Sequence, residues 1–444
     1  MTEGKIATVL LKFSIPMILG NLLQQLYNVA DTFIVGHYIG TDALAAVGSS
    51  FTLMTFLTSI ILGLCMGSGV LFSMLYGARQ EDKMKESFFV SFVAIAIFSI
   101  VLQLGCMLLI DWILKFMNTP IDIYQATYDY LFIIFCGIFF TFLYNYFSSL
   151  LRSIGNSRTP LYFLALAALI NVVLDIFFIT QCDLGVAGAA LATIIAQAFS
   201  GIGIMIYSFL SQKELIPSRR HLVFDRLIFK KIKDYSLLTC LQQSVMNFGI
   251  LMIQGLVNSF GIVTMAAFVA AVKIDSFAYM PVQDFGNAFS TYIAQNKGAN
   301  LDRRIKDGLK IAILMSTVFC LIISFIVFVF ADKLMLIFIE PSQIEIINQG
   351  AQYLRVEGAC YIGIGCLFLL YGYYRGIGKP GISVVLTVIS LGTRVVLAYS
   401  LAGYLGPLII WWAIPIGWFL ADITGIIFGI KKEKWLEKNM EEGM

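Results

Sequence analysis

The sequence predicts an all-α polytopic membrane protein, with twelve transmembrane helices in two six-helix lobes related by a pseudo-twofold axis along the membrane normal. Three observations predict it. Of 444 residues, 59% are hydrophobic and only 13% charged, whereas an ordinary soluble domain carries about 25% charged residues; the mean hydropathy is +0.86. The apolar residues fall into twelve stretches near the length of about 20 residues that a hydrocarbon layer of ~30 Å requires. Landmarks of the first half return in the second at a nearly constant spacing.

The first stretch, 9–35, follows Lys5 and Lys12 as a signal peptide would, but no small-residue cleavage site comes after it, so it is read as a retained helix. The others run over 45–76, 88–110, 123–150, 161–180, 187–210, 235–260, 264–294, 309–330, 344–373, 381–401 and 408–430. Taken in alternate connections, 25 of the 30 Lys and Arg residues fall on one side and only Lys115 and Lys333 on the other, while Lys273, Arg355 and Arg394 lie within helices. Positive residues are retained in the cytoplasm, so both termini are expected inside the cell membrane. The net charge of +3 gives no sign of nucleic-acid binding. Eight scattered cysteines without a CxxC pair, and two histidines, argue against a disulfide framework or a zinc site.

The most basic connection, 211–234, lies almost at the middle, which divides the chain into an N-lobe (1–210), a cytoplasmic linker (211–234), a C-lobe (235–430) and a cytoplasmic tail (431–444) read as a surface helix end. Gly77-Ala78 recurs as Gly298-Ala299, Asp111 as Asp332, Pro120 as Pro341 and Gly137 as Gly358, all 221 residues on, and RSIG at 152–155 recurs as RGIG 223 residues on. Two halves starting from the same side imply a cavity between two lobes.

An ionisable group within a transmembrane helix is costly unless paired or hydrated, so such groups mark pathways or structural pairs. In the first span Gln24, Tyr27, Asn28 and Asp31 fall on one helical stripe. In the fifth, Asn171 and Asp175 are one turn apart, and in the sixth Thr193 and Gln197 form another such pair beside small residues that permit close packing. Two carboxylates, an amide and a hydroxyl make an all-oxygen set suited to a hard cation. Two desolvated carboxylates side by side call for a proton or a metal ion, so Na⁺ and H⁺ are expected to compete for the set. Hydrogen bonding of Asp31 and Asp175 as neutral acids to neighbouring helices is the alternative.

The second half lacks these carboxylates: Arg394 stands at the position of Asn171 and Ala398 at that of Asp175. Its seventh span is polar through Asn247 and several glutamines, its eighth carries Lys273, Asp275 and Asp284, and its tenth carries Arg355 and Glu357. Internal ion pairs and substrate contacts are both open for these charges. Pro16, Pro281 and Pro415 lie inside helices, as static kinks or as bends for alternating access. Trp112, Trp411 and Trp412 are read as interfacial anchors, and His37 and His221 as solvated. The 37 Phe, 20 Tyr and 17 Met would give any cavity a soft lining fit for lipophilic or cationic guests.

At LYNVADT (26–32), LRSIGNSRTP (151–160), NVVLD (171–175) and GVAGAALAT (185–193) the sequence resembles the multidrug and toxic compound extrusion (MATE) family, in particular its prokaryotic DinF-like branch. The resemblance covers essentially the whole chain. It implies two six-helix lobes, a V-shaped cavity, and export of organic cations or xenobiotics in exchange for Na⁺ or H⁺, with no other cofactor and no enzymatic activity. It further implies a cation site on Asp31, Asn171, Asp175 and Thr193, the residues the helical faces also select. Gln24, Tyr27, Asn28, Gln197, Asn247, Lys273, Asp284, Arg355, Glu357 and Arg394 are expected to line the substrate cavity of a monomer set in membrane lipid. A flippase for a lipid-linked or amphipathic metabolite is the alternative, but it would be expected to carry basic residues facing its cavity. An intramembrane enzyme would need a nucleophile and base or a metal motif that the helices lack.

Overall fold

The computed structural model describes the backbone of residues 1–117 and 119–442, and the side chains of these except Thr41, Leu251 and 431–442. The chain folds into fifteen α-helices among the described residues: α1 (Ile6–Tyr38), α2 (Thr41–Gly77), α3 (Glu81–Leu108), α4 (Ile110–Phe116), α5 (Ile121–Cys136), α6 (Ile138–Ser153), α7 (Arg158–Thr180), α8 (Gly185–Ser211), α9 (Arg226–Asn258), α10 (Ile262–Gly298), α11 (Asp302–Met335), α12 (Ile344–Ala359), α13 (Tyr361–Gly376), α14 (Pro380–Leu405) and α15 (Leu408–Glu442). Ten of them are individually long and apolar enough to cross a membrane, and the pairs α5–α6 and α12–α13, bent by 43° and 54°, bring the number of crossings to twelve. The tail expected as a surface helix end continues α15 to Glu442, while its side chains and residues 443 and 444 lie outside the described residues.

Helix boundaries follow the internal repeat closely. The starts and ends of α2 recur in α10, and the start of α3 in that of α11, at a spacing of 221, whereas α5 and α6 recur in α12 and α13 at 223. The two extra residues therefore enter between Pro341 and Ile344. Turn conformations repeat with the same spacings: Gly40 and Gly261 have φ of 118° and 94°, and Gly155 and Gly378 have 92° and 83°, values that a residue with a Cβ reaches only under strain. The counterpart of Gly137 is thereby Cys360 rather than Gly358, and both sit at the bends. Hydropathy cannot report such a bend, because the apolar run continues through it.

The chain forms two compact units, the first built from 1–2, 11–244 and 294–301, the second from 3–10, 245–293 and 302–444. In the first, α6 supplies a fully buried aromatic face around Phe142, Tyr146 and Phe147, against which Phe88 and Phe92 of α3 pack edge to face or tilted at 5.3–6.1 Å. The Tyr146 hydroxyl is satisfied within this core, donating to the Phe88 carbonyl oxygen at 2.7 Å, as a buried hydroxyl requires. Gly63 and Gly67 of α2 let the first half of α9 approach at backbone distance: a Cβ on Gly63 would lie 2.5 Å from Cα of Cys240. Ser68 and Ser236 join their hydroxyls across this seam at 3.0 Å, the small-residue packing that replaces hydrophobic drive inside a bilayer.

The second unit is centred on Trp411, Phe268 and Tyr353. Trp411 is 1% exposed, stacked on Phe268 at 5.5 Å and met edge-on by Tyr353 at 5.1 Å. It is therefore a core residue and not an interfacial anchor, whereas Trp112 and Trp412 are exposed. His221 also departs from expectation. It is 3% exposed, with Nδ1 accepting from the Ser218 N–H at 3.1 Å and Nε2 donating to Asp82 Oδ1 at 2.8 Å, so it fastens the linker to the first turn of α3. His37 lies within α1 and stacks on Phe33.

Candidate cation site

The oxygen-rich set of the first unit comes from three helices. Asn171 and Asp175, one turn apart on α7, are both fully buried, Thr193 of α8 is 7% exposed and Asp31 of α1 is 9% exposed. Small buried residues at Gly188, Ala189, Ala190 and Ala192 keep α8 slender on every side here, and Gly188 lets it close on Phe178 of α7. Asn171 Nδ2 donates to Thr193 Oγ1 at 3.3 Å, and that hydroxyl donates in turn to the Ala189 carbonyl at 3.0 Å. This chain turns the amide oxygen of Asn171 away from Thr193. The carboxyls of Asp31 and Asp175 are close enough to interact with one another.

The remaining atoms are all acceptors. Asn171 Oδ1, both oxygens of Asp175 and one of Asp31 are buried and meet no N–H or hydroxyl donor among the described residues. A buried acceptor without a partner costs about 1–3 kcal/mol, and a charged one more, so the sequence has placed a cost here that a proton or a cation would remove. The donor set is oxygen throughout, which suits a hard cation such as Na⁺ or a proton. Tyr27 and Tyr130 lie within electrostatic range of both carboxyls. Tyr130, 8% exposed on α5, was not legible as a site residue, since a tyrosine among so many carries no periodic signal and only the packing of α5 on α8 brings it near.

The other first-unit candidates are dispersed. Asn28 is half-buried, with its carbonyl accepting from Thr32 Oγ1 at 2.8 Å, and Gln24 is exposed at the end of the stripe. Gln197 lies at the α5–α6 bend, where its Oε1 accepts from Thr141 Oγ1 at 3.1 Å and is 2.8 Å from where a Cβ on residue 137 would be. Gln103 Oε1 accepts the Phe139 N–H at 3.2 Å beside it, one of the backbone donors left without a helical partner at the start of α6.

In the second unit Glu357 and Arg394 come together, and Asp275 joins them. All three line a cavity of about 90 Å³ with Tyr279, Tyr353 and Trp418, room for several waters. Asp275 and Glu357 are buried, and the Tyr361 hydroxyl donates to Asp275 Oδ1 at 2.6 Å. Tyr353, Glu357 and Tyr361 follow one another at a turn's spacing across the α12–α13 bend. Arg394 is an electrostatic neighbour of both acids. Asp284 is buried and Asn247 half-buried, but neither lines this cavity. Lys273 is exposed, its ammonium 5.9 Å from the centre of the Phe338 ring. Although Lys273 and Asp284 share a helical face, one is at the surface and the other in the core, because neighbours cover α10 unevenly along its length. Arg355 pairs with Asp332 in a separate groove. Asp422, 5% exposed on α15 and a neighbour of Cys366, is a buried acid the helical pattern did not single out.

A family model described as MatE matches residues 16–177 and 237–400. The chain is similar to a probable multidrug resistance protein, YpnP, of Bacillus subtilis, with 30% identity over 397 residues covering 88% of this chain and 86% of the relative. A second Bacillus subtilis protein, the probable multidrug resistance protein YoeA, is 27% identical over 447 residues, covering 96% and 94%. Among solved structures, a MOP superfamily transporter from Pyrococcus furiosus superposes with a TM-score of 0.91 at 23% identity, covering 98% of this chain and 97% of that one; at that identity the likeness is one of fold.

Proposed function

The chain belongs to the MatE family of membrane transporters, and from that premise we propose that it is a secondary active exporter of lipophilic or cationic small molecules, driven by Na⁺ or H⁺ antiport through alternating access. It is a transporter of small molecules and not an enzyme. The observation that carries the coupling is the set of buried, unpartnered acceptors on Asp31, Asn171 and Asp175. Bound there, Na⁺ or a proton supplies the positive charge that lets two adjacent carboxyls stay buried. Asp31 and Asp175 hold that charge, Asn171 and Thr193 fix the register between α7 and α8, and Tyr27 and Tyr130 limit access of water. Because one set of oxygens serves both ions, Na⁺ binding weakens as pH falls.

The reading puts both termini on the cytoplasmic side of the cell membrane, which the 25-to-2 distribution of Lys and Arg supports, and takes the chain as a monomer that binds no nucleic acid. Purified protein in liposomes with imposed Na⁺ or pH gradients and a panel of fluorescent organic cations tests it. One of the gradients should accelerate efflux, and Asp31→Asn and Asp175→Asn should each abolish the acceleration while the protein still folds. Efflux indifferent to both gradients, or driven equally well in both variants, would overturn the proposal.

A further inference from the structure

On the face of the second unit lies a groove whose floor is α12 and whose walls are α11 and α15. It measures about 530 Å³. Its floor is a helical stripe of Asn348, Gln352, Arg355 and Ala359, with Phe328 on one wall and Trp412 on the other. Asn348, Gln352 and Ala359 are exposed, Phe328 and Trp412 are 48% and 45% exposed, and Gln349 Oε1 beside them is buried without a hydrogen-bond partner among the described residues. The groove opens at the end of the helices opposite the basic connections, since α11 ends there at Met335 and α12 and α15 begin there.

Amides and a guanidinium along an open face of a membrane helix are costly against hydrocarbon. Their order along the helix reduces that cost for one kind of neighbour. The polar groups run along α12 from its second turn, Asn348 to Arg355, and the floor then becomes apolar at Val356 and Ala359. At 1.5 Å per residue the stripe is ~16 Å long, about half of a hydrocarbon core of ~30 Å. A molecule polar at the top and hydrocarbon below, one leaflet long, fits this gradient. Arg355 is paired with Asp332 of α11, and the two side chains keep 40% and 52% exposure, so the rim offers one positive and one negative group together.

We propose that this groove is a phospholipid site for a zwitterionic head group bearing a primary ammonium, in the leaflet facing away from the basic connections. The phosphate takes N–H groups of Arg355, Gln352 and Asn348, the ammonium takes the Asp332 carboxylate, and one acyl chain lies between Phe328 and Ala359 under the indole of Trp412. The site is independent of the cation set on α7 and α8.

Native mass spectrometry of the whole protein released from micelles containing equal amounts of phosphatidylethanolamine, phosphatidylcholine and phosphatidylglycerol tests it. Phosphatidylethanolamine should be retained preferentially. Loss of one charge-assisted contact is expected to lower its retention by about tenfold in Arg355→Gln. Because that change leaves Asp332 without its partner, Gln352→Leu and Trp412→Ala, which keep the ion pair, should also reduce retention. Soluble phosphorylethanolamine should not compete. Equal retention of the three lipids, retention unchanged in Gln352→Leu and Trp412→Ala, or displacement by the soluble head group, which would make the ligand a free phosphate ester, would each overturn the proposal.

Discussion

The helix pairs α7–α8 and α14–α15 occupy corresponding places in the repeat and have opposite chemistry. At one repeat position the first unit has Asn171 and the second Arg394; one turn on, Asp175 corresponds to Ala398, which is also fully buried; and Thr193 has Ile416 as its counterpart. The first unit thus keeps Asp175 of α7 beside Asp31 of α1, with no Lys or Arg at the position that Arg394 takes in the second. The second carries its cation covalently, as a guanidinium set among acids drawn from α10 and α12. One scaffold supports both because the helical frame, with its bends and glycine turns, is kept while the inward residues change. The difference teaches that the charge an acidic site needs can be borrowed from solution or built into the chain, and only the borrowed kind can couple to a gradient.

Removing the built-in charge is expected to have the largest effect. Arg394→Ala leaves Asp275 and Glu357 buried together, at a cost on the order of 3 kcal/mol, read as a lowered denaturation midpoint in detergent; an unchanged midpoint would show that the guanidinium does not balance those acids. Next, Asp175→Asn should eliminate the stabilisation by the coupling ion, about 2.7 kcal/mol when the ion is at a hundred times its Kd. Asn171→Arg sharpens the comparison by giving the first unit the charge of the second, so its thermal stability should no longer respond to Na⁺ or to proton concentration. Titration calorimetry should find one ion site per chain, and a second site surviving in Asp175→Asn would break the contrast. The smallest effect belongs to Glu357→Gln, which keeps Arg394 beside Asp275: a loss of about 1 kcal/mol, with the ion response intact.

The spans and their number could be read from the sequence, as could the helical faces that carry Asp31, Asn171, Asp175 and Thr193, because hydropathy and helical spacing act locally. Contacts made by the fold were less visible. The bends at Gly137 and Cys360 interrupt no apolar run. His221 reads as solvated until α3 brings Asp82 to it, and Trp411 reads as an anchor until Phe268 covers it. Among the ionisable residues of the second half, Arg394 and Glu357 come together but Lys273, Asp284 and Arg355 do not, since spacing along one helix fixes a face and not the neighbour that covers it.

The two-residue step in the repeat has a practical use. Ser342 and Gln343, the added pair, are exposed, and Gln343 is held by backbone bonds alone among those described, its N–H donating to the Glu340 carbonyl at 3.0 Å and its carbonyl accepting from the Ile347 N–H at 3.2 Å. The helices on either side keep their repeat boundaries despite the insertion, so this loop absorbs added length without disturbing them. It is a permissive place for an epitope tag, and antibody labelling of intact cells against permeabilised ones would then read directly which way the protein is inserted.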